Sequence, residues 1–304
     1  MSFALLFSGQ GTQHPDMLPW LADDALVRDT GARLGVDDWR GALANPAWAQ
    51  RNDNAQTLLT GLALAAWNQL APKVASPAAV AGYSVGELAA FSAAGVIEPE
   101  TAAALAAARA QAMDRCAAQA PGGMLAVSGL RETRLEQLRL ATGLAIAIRN
   151  GIESVILGGS HTALDAAERM ATLDGAQCTR LRINVASHTP LMREAAESFS
   201  RTLTNVPFDA PKTVLFSNAG DRIMDAASAR VALAAQIDRT VRWDECMENV
   251  ASRQVTCVLE VGPGQALARM WNQRYPTVPA RACDDFRSAA ALAAWLNSKS
   301  NWPG

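Results

Sequence analysis

Short apolar runs, each followed by a glycine-containing loop, recur along the chain, and two of these loops lead into helical patterns. The three clearest runs and their loops are Phe3–Phe7 with 9–11, 78–81 with 82–86, and 256–261 with 262–264. Helical patterns follow the last two loops at 87–94 and 265–271. Buried strands that alternate with helices predict a parallel sheet covered on both faces. Sites in such sheets form at the carboxyl ends of strands, so we expect the glycine loops to meet at one cleft.

The middle of the chain has a different order of elements. Strands are predicted at 124–127, 144–148, 154–157 and 178–183, and helices at 132–141 and 162–173. This βαββαβ order is that of a ferredoxin-like unit. The predicted fold class is therefore α/β: a large α/β-hydrolase-like domain with a parallel sheet, formed by 1–121 and 187–304, and a small ferredoxin-like subdomain inserted at 122–186. Residues 297–304 are predicted to form a loose tail.

Composition narrows the choice of partners and location. Half of the 304 residues are hydrophobic, and 27 basic residues against 29 acidic ones give a net charge of -2. This balance argues against nucleic acid as a partner, because phosphate binding needs a concentrated basic surface. No basic stretch precedes the first apolar run, and the apolar segment 58–67 is about half as long as a membrane span. We expect a cytoplasmic protein that does not bind membranes.

A G-x-S-x-G element at 82–86 places Ser84 between a predicted strand and a predicted helix. A serine there sits on a tight turn that exposes its hydroxyl, and the glycines leave room for a substrate. The N–H of Val85 is then free to donate to an oxyanion at the helix start. A plain glycine turn with a helix-capping serine has the same pattern, and the strand–turn–helix context favours the nucleophile.

A serine nucleophile needs a base, and the chain has three histidines. His161 begins a helix of the insert and is interpreted as a surface residue. His14 follows the first glycine loop and could line the cleft, with nothing in the sequence to hold it there. His188 lies where the chain leaves the insert, and we predict it as the base for Ser84.

Arg109 lies on the same helical face as Leu105 and Met113, at i, i+4 spacing, whereas Arg115 falls on another face. A guanidinium among apolar neighbours either reaches water or meets a fixed anion, and its planar fork suits a carboxylate. A partly buried structural arginine is the alternative. Two other site classes fit poorly. Gly9-Gln10-Gly11 lacks the third glycine of a dinucleotide fingerprint, and no cluster with metal-ligand spacing occurs, so we expect no metal.

The motifs that contain these residues resemble those of the malonyl-CoA:acyl-carrier-protein transacylases. The resemblance runs from about Phe3 to beyond Gly264 and rests on four ordered motifs, which are FSGQGTQ at 7–13, GYSVGE at 82–87, ASH at 186–188 and EVGPG at 260–264. The insert between serine and histidine also matches the family.

The resemblance implies a ping-pong transfer of malonyl from malonyl-CoA to the phosphopantetheine thiol of an acyl-carrier protein, with no bound cofactor. It makes Ser84 the nucleophile and His188 the base, and it gives the oxyanion hole to the N–H groups of Gln10 and Val85. Arg109 matches the arginine that grips the malonyl carboxylate. Three supporting positions are also implied: the Gln236 carbonyl, which orients the histidine in place of a triad aspartate, and Gln56 and Asn150 near the substrate.

The chain departs from the family at Tyr83, where a histidine usually precedes the nucleophile. This departure, the short chain and the sequence GTQHPD at 11–16 resemble the transacylase subunit of malonate decarboxylase, whose complex would be the partner together with a dedicated carrier protein. That carrier bears an unusual prosthetic group derived from coenzyme A. The alternatives are a transacylase of fatty-acid or polyketide synthesis, a serine hydrolase, and a carrier-binding module without activity. Residues 185–187 do not decide between malonyl and methylmalonyl groups.

Overall fold

Two β-sheets organise the molecule, which was analysed as a computed structural model that describes residues 2–219 and 221–300. Eleven strands occur in these ranges: β1 (Phe3–Phe7), β2 (Ala79–Gly82), β3 (Gly122–Ser128), β4 (Ala145–Gly151), β5 (Ser154–Ser160), β6 (Gln177–Arg180), β7 (Leu215–Phe216), β8 (Arg222–Ile223), β9 (Val241–Arg242), β10 (Cys257–Val261) and β11 (Ala280–Ala282).

Thirteen α-helices within the same ranges cover these sheets. They are α1 (Ala25–Leu34), α2 (Trp39–Leu43), α3 (Pro46–Ala49), α4 (Asn52–Leu70), α5 (Gly86–Ala93), α6 (Pro99–Gln119), α7 (Glu132–Thr142), α8 (His161–Leu173), α9 (Arg193–Leu203), α10 (Ala226–Ala235), α11 (Trp243–Ala251), α12 (Ala266–Arg274) and α13 (Ala289–Ser300). Short 3₁₀ turns occur at Ala71–Lys73, Pro190–Met192 and Cys283–Asp285.

The six-stranded sheet has the order β11-β10-β1-β2-β7-β8. All its pairs are parallel except β7 with β8. In β1, Phe3, Leu5 and Phe7 join the core on one face, while Ala4 and Leu6 join the core on the other. The predicted α/β class with a parallel sheet is therefore confirmed. Strands β10, β1 and β2 are neighbours, so their glycine loops emerge side by side at one edge.

The five-stranded sheet has the order β6-β3-β5-β4-β9. Its first four strands are antiparallel and come from the βαββαβ segment, with element ends a few residues from those predicted. The fifth strand was not predicted. β9 comes from a later part of the chain and pairs in parallel with β4 through Ile148 and Val241. The short β9 ties the small sheet to the segment that leads into α11.

The prediction of a loose tail at 297–304 is wrong for its first residues. Helix α13 continues through Asn297, whose amide Nδ2 lies 3.3 Å from the Lys73 carbonyl. Leu292 and Leu296 are buried one helical turn apart, and this apolar face holds the helix end against the core. Residues 301–304 lie outside the described residues.

The turn between β2 and α5 passes directly under the end of β1. A Cβ atom on Gly86 would collide with the carbonyl oxygen of Phe7 and would lie 2.7 Å from that of Ser8. Both obstacles are backbone atoms of the neighbouring strand end, so they cannot move aside as a flexible side chain would. Only glycine fits at this position without displacing the loop that carries Gln10.

We predict that Gly86→Ala lowers the free energy of unfolding by about 1–3 kcal/mol, because it overpacks a contact between two backbone segments. Gly151→Ala is the matched control, since a Cβ there meets nothing within 4 Å. Urea unfolding monitored by circular dichroism measures both variants. If the two variants were equally stable, the end of β1 would be able to move aside for the added Cβ atom at little energetic cost.

Candidate active site

Ser84 occupies the turn between the last residue of β2, Gly82, and the first residue of α5, Gly86. Its backbone φ angle is +54°, in the left-handed region that residues with a side chain seldom adopt. The Ser84 N–H donates to Oδ1 of Asn218 at 2.9 Å. A strained backbone persists only where its surroundings hold it, and such strain is typical of functional sites.

The hydroxyl of Ser84 lies 2.7 Å from Nε2 of His188, which is 104 positions later in the chain. The other ring nitrogen, Nδ1, lies 2.5 Å from the backbone oxygen of Gln236. The backbone of His188 is also held, because its N–H donates to the Ile237 oxygen at 2.9 Å. The end of α10 therefore fixes both the ring and the main chain of this histidine.

Burial sets the protonation state of His188. Burial and, to a lesser extent, the nearby Arg109 charge lower the pKa of the imidazole to about 3, although the Gln236 carbonyl acts in the opposite direction. The ring is therefore neutral at pH 7. Because a carbonyl can only accept, the Nδ1 atom must carry the proton, which leaves Nε2 to accept from the Ser84 hydroxyl. This tautomer is the one that a general base needs.

Arg109 is fully buried on α6 with only 1% of its surface exposed. Its Nη1 donates to Oε1 of Gln56 at 2.6 Å, and its Nη2 donates to Oε1 of Gln236 at 3.1 Å. Nε has no partner among the described residues. Burial lowers the pKa of the guanidinium to about 10, with an opposing effect from Glu87, so the side chain stays charged at pH 7.

These side chains open into one cavity of about 270 Å³ between the two sheets. Its polar part contains Ser84, His188, Arg109 and Gln56. Its apolar walls come from the small sheet, the loop after β6 and α12, and they consist of Met124, Ile148, Ile156, Leu181, Ile183, Leu267 and Met270. The arrangement can hold a polar, anionic end of a ligand beside the serine while apolar walls surround the remainder.

Two backbone N–H groups beside the serine are available to a ligand. Within the described residues, neither the Gln10 N–H nor the Val85 N–H donates to a protein group. Gln10 belongs to the first glycine loop, and Val85 precedes α5. Free donors at such a position can stabilise negative charge on an oxygen bound between them.

The comparisons with known proteins agree with this geometry. Residues 4–295 match the family model described as the acyl transferase domain. The malonyl-CoA–acyl-carrier-protein transacylase of Mycobacterium tuberculosis is 36% identical over 297 residues, which cover 92% of this chain and 95% of that protein. Its counterpart from Escherichia coli K12 is 30% identical over 95% of this chain and 98% of its own. The chain belongs to the malonyl-CoA:acyl-carrier-protein transacylase family.

Solved structures of this family have the same fold. The acyl-carrier-protein S-malonyltransferase of Burkholderia pseudomallei superposes with a TM-score of 0.87 at 30% identity, over 97% of this chain and all of that one. A malonyl-transacylase solved in complex with a type II polyketide synthase acyl-carrier protein gives a TM-score of 0.88 at 26% identity, over 98% of this chain and all of the other.

Most residues predicted from the sequence come together in this transacylase fold. Six of them line the cavity: Gln10, Gln56, Ser84, Arg109, Asn150 and His188. Val85 and Gln236 lie just behind its surface, where Val85 follows the serine and Gln236 contacts both His188 and Arg109. His161 is exposed at the start of α8, and Arg115 is exposed on α6, as predicted.

The interpretation of His14 is wrong in one respect. The sequence offered nothing to hold this residue, but its Nε2 atom lies 3.1 Å from Oδ2 of Asp284, which also accepts from the Gly264 N–H. His14 lines a separate surface pocket with Arg269 and Arg287 instead of the cavity that holds Ser84. Asp284 could not be paired with it beforehand, because the two residues are 270 positions apart.

Three buried polar residues at the site were not predicted. Asn218 follows β7, and Glu87 and Glu260 belong to recognised motifs but had no assigned role. Burial raises the pKa of both glutamates to about 7. A further unpredicted contact joins the Tyr83 hydroxyl to Oδ1 of Asn150 at 3.1 Å. A polar pair at 217–218 directly after an apolar run was the available signal for Asn218.

The described residues contain no cluster of His, Cys, Asp and Glu side chains that could hold a metal ion. None of their helices combines the length and apolar character needed to cross a bilayer.

Glu260 gives a prediction for the pH dependence of stability. Its folded-state pKa of about 7 lies above the usual carboxyl value, so its contribution is present at low pH and is lost as the pH rises towards 7. Glu260→Gln removes this titration. The variant can keep both hydrogen bonds, because its amide oxygen can accept from the Ala268 N–H and its NH₂ group can donate to the Ser8 hydroxyl.

We therefore expect the gap in unfolding free energy, taken as wild type minus Glu260→Gln, to fall by about 1–3 kcal/mol between pH 5 and pH 8. Urea unfolding at both pH values measures the gap. A constant gap would show that Glu260 ionises at its ordinary pKa in the folded protein.

Proposed function

We propose that this protein transfers a malonyl group from malonyl-CoA to the phosphopantetheine-type thiol of an acyl-carrier protein through an ester on Ser84. The observation that carries the proposal is the shared cavity in which a neutral His188 faces the Ser84 hydroxyl and a buried Arg109 supplies a cation. A reactive serine and a carboxylate-binding arginine in one cavity fit an acyl group with a free carboxylate.

In the first half-reaction, Ser84 Oγ attacks the thioester carbonyl carbon while Nε2 of His188 takes the hydroxyl proton. The N–H groups of Gln10 and Val85 stabilise the resulting oxyanion. Collapse of this intermediate breaks the carbon–sulfur bond, and His188 returns the proton to the departing sulfur of coenzyme A. The backbone oxygen of Gln236 takes the place of a triad carboxylate and steadies the imidazolium.

In the second half-reaction, the carrier thiol enters the site that coenzyme A has left. His188 removes its proton, and the sulfur attacks the ester carbonyl. The bond between the acyl carbon and Ser84 Oγ then breaks, and the proton returns from His188 to Ser84 Oγ. The same base and the same oxyanion donors serve both halves, as expected when the two acceptors are thiols at the end of a similar pantetheine arm. Gln56 holds the fork of Arg109, and Asn150 borders the channel.

A hydrolase is the main rival, since the same serine and histidine could direct water at the ester. Arg109 favours the transferase, because a simple esterase gains nothing from burying a cation on the acyl side. Burying a guanidinium without a carboxylate partner costs several kcal/mol, and a malonyl carboxylate offsets that cost when it binds. A carrier-binding module without activity would have no need of the neutral His188 tautomer aligned on Ser84.

We also propose the metabolic process in which the protein takes part. Tyr83 in the elbow and the sequence at 11–16 support a malonate decarboxylase complex, whose carrier bears a prosthetic group derived from coenzyme A. Fatty-acid or polyketide synthesis is the alternative, and the relatives named malonyl-CoA–acyl-carrier-protein transacylase favour it. The chemistry at Ser84 is the same in both settings, and the identity of the carrier distinguishes them.

We also propose that residues 122–186 form a ferredoxin-like subdomain inserted in an α/β-hydrolase-like domain built from 1–121 and 187–304. The strand order β6-β3-β5-β4 and its antiparallel pairing support this division. The cavity lies between the two units, since Met124 and Ile156 face Ser84 and His188 across it. This division would let the small sheet supply the apolar wall of the substrate channel.

Brief incubation with malonyl-CoA should give a malonyl-sized adduct on Ser84 by intact-protein mass spectrometry. Acetyl-CoA, which lacks the carboxylate, should give a weaker adduct, and methylmalonyl-CoA run in parallel reports the acyl preference. Ser84→Ala should give none, because it removes the nucleophile while leaving the cavity open. An adduct that persists in Ser84→Ala would exclude Ser84, and steady release of coenzyme A without any adduct would support the hydrolase.

Arg109→Ala should slow malonyl transfer by roughly 10- to 100-fold, because a charged, desolvated hydrogen bond contributes about 1.5–3 kcal/mol. Acetyl transfer should change much less, since an acetyl group has no carboxylate for the arginine to bind. Arg115→Ala on the exposed side of the same helix is the matched control. Single-turnover rates with both thioesters measure the effect, and equal losses with the two would make Arg109 a structural residue.

A further inference from the structure

A series of hydrogen bonds reaches the backbone N–H of Ser84, separate from the contact between its hydroxyl and His188. The Ser84 N–H donates to Oδ1 of Asn218 at 2.9 Å, and the Asn218 N–H donates to Oε1 of Glu87 at 2.7 Å. Asn218 follows β7, the strand that pairs with β2, and Glu87 lies in the first turn of α5. These hydrogen bonds therefore join the segment after β7 to both ends of the turn that carries Ser84.

The two residues that support Ser84, Asn218 and Glu87, lie away from both the solvent and the cavity. Asn218 is 1% exposed and Glu87 is 0% exposed, and neither lines the space that contains Ser84 and His188. Asn218 is itself fixed, since its backbone oxygen accepts from the Arg242 N–H at 2.7 Å. The backbone of Arg242 on β9 thus anchors Asn218, while Asn218 holds the backbone of Ser84.

The orientation of the Asn218 amide is determined by Ser84. If the amide were flipped, its NH₂ group would face the Ser84 N–H, and two donors would meet. The observed orientation also turns Nδ2 of Asn218 towards the carboxyl group of Glu87, so the Asn218 side chain contacts Ser84 and Glu87 at once.

We propose that Asn218, held by Glu87, is a positioning residue that keeps the Ser84 backbone in its left-handed conformation and so aligns the Ser84 hydroxyl and the Val85 N–H for acyl transfer. The inference rests on the proposed function for the identity of the acyl group, but the positioning itself applies to any reagent that acylates Ser84. Because neither residue touches the substrate, the effect acts on the rate of the chemical step and leaves binding largely unchanged.

The test compares Asn218→Leu, which has no acceptor, with Asn218→Asp, which keeps an oxygen facing the Ser84 N–H. Single-turnover formation of the malonyl-enzyme is followed by quenched mass spectrometry over a range of malonyl-CoA concentrations. We expect the maximal rate of Asn218→Leu to fall by about 10- to 100-fold, since misplacing reacting atoms by about 1 Å can cost that much. Its half-saturating concentration should stay within about threefold of wild type, and Asn218→Asp should recover much of the rate.

Asn272→Leu is the matched control for a loss that is only structural. The Asn272 side chain also bonds to backbone at both ends, to the N–H and the carbonyl of Ala280, but it lies outside the cavity. This variant should lose thermal stability and retain the wild-type acylation rate. If Asn218→Leu does not fold, Asn218→Ser replaces it, because the shorter hydroxyl cannot reach the Ser84 N–H.

The proposal would be overturned if Asn218→Leu or Asn218→Ser acylated at the wild-type rate. It would also be overturned if Asn218→Asp acylated no faster than Asn218→Leu. The phosphonylation rate of Ser84 with a fluorophosphonate probe separates this inference from the proposed function. If the wild type reacts with the probe but not with malonyl-CoA, the proposed acyl group is wrong. The probe rates of the Asn218 variants would then still test the positioning role. If the wild-type serine reacts with neither reagent, both proposals are wrong.

Discussion

A buried guanidinium that makes no ion pair with a carboxylate of the described residues is the constraint on which the site depends. Arg109 donates to two glutamine side-chain oxygens, which carry only partial charge, and its Nε atom has no partner among the described residues. Moving such a cation out of water costs several kcal/mol, and neutral acceptors compensate only in part. The buried charge therefore favours the binding of an anion at one end of the cavity. Gln56 and Gln236 supply the polar contacts that keep the cation in place there.

The same charge affects the catalytic histidine of the proposed mechanism. Gln236 accepts from Arg109 through its side chain and from His188 through its backbone, so the two functional groups share one residue. The Arg109 charge contributes to the low pKa of His188 and thus opposes the imidazolium that forms during acyl transfer. A malonyl carboxylate bound at Arg109 neutralises that field. Binding of the correct acyl group would then make His188 a stronger base, which links selectivity to the rate of reaction.

The sequence predicted the elements whose signals are local. Buried strands before glycine loops, the elbow around Ser84 and the apolar face of α6 that buries Arg109 all follow from short-range patterns. Contacts between distant segments could not be predicted in the same way. The pairing of β9 with β4 involves two residues on each strand, His14 meets Asp284 across most of the chain, and Asn218 reaches Ser84 over 134 positions. The helical end of the tail was missed because the burial of Leu292 and Leu296 depends on the core beneath them.

The low pKa of His188 also bears on the choice between a thiol and water as the second acceptor. A weak base removes a proton from a thiol, whose pKa is about 8.5, far more readily than from water, whose pKa is about 15.7. In the proposed mechanism, the buried, neutral His188 would therefore favour a carrier thiol over water, because the thiol gives up its proton more readily. The apolar walls formed by residues such as Ile148 and Met270 act in the same direction by excluding water from the ester. In the proposed mechanism, the buried base and these walls would together protect the acyl-enzyme until a carrier thiol arrives.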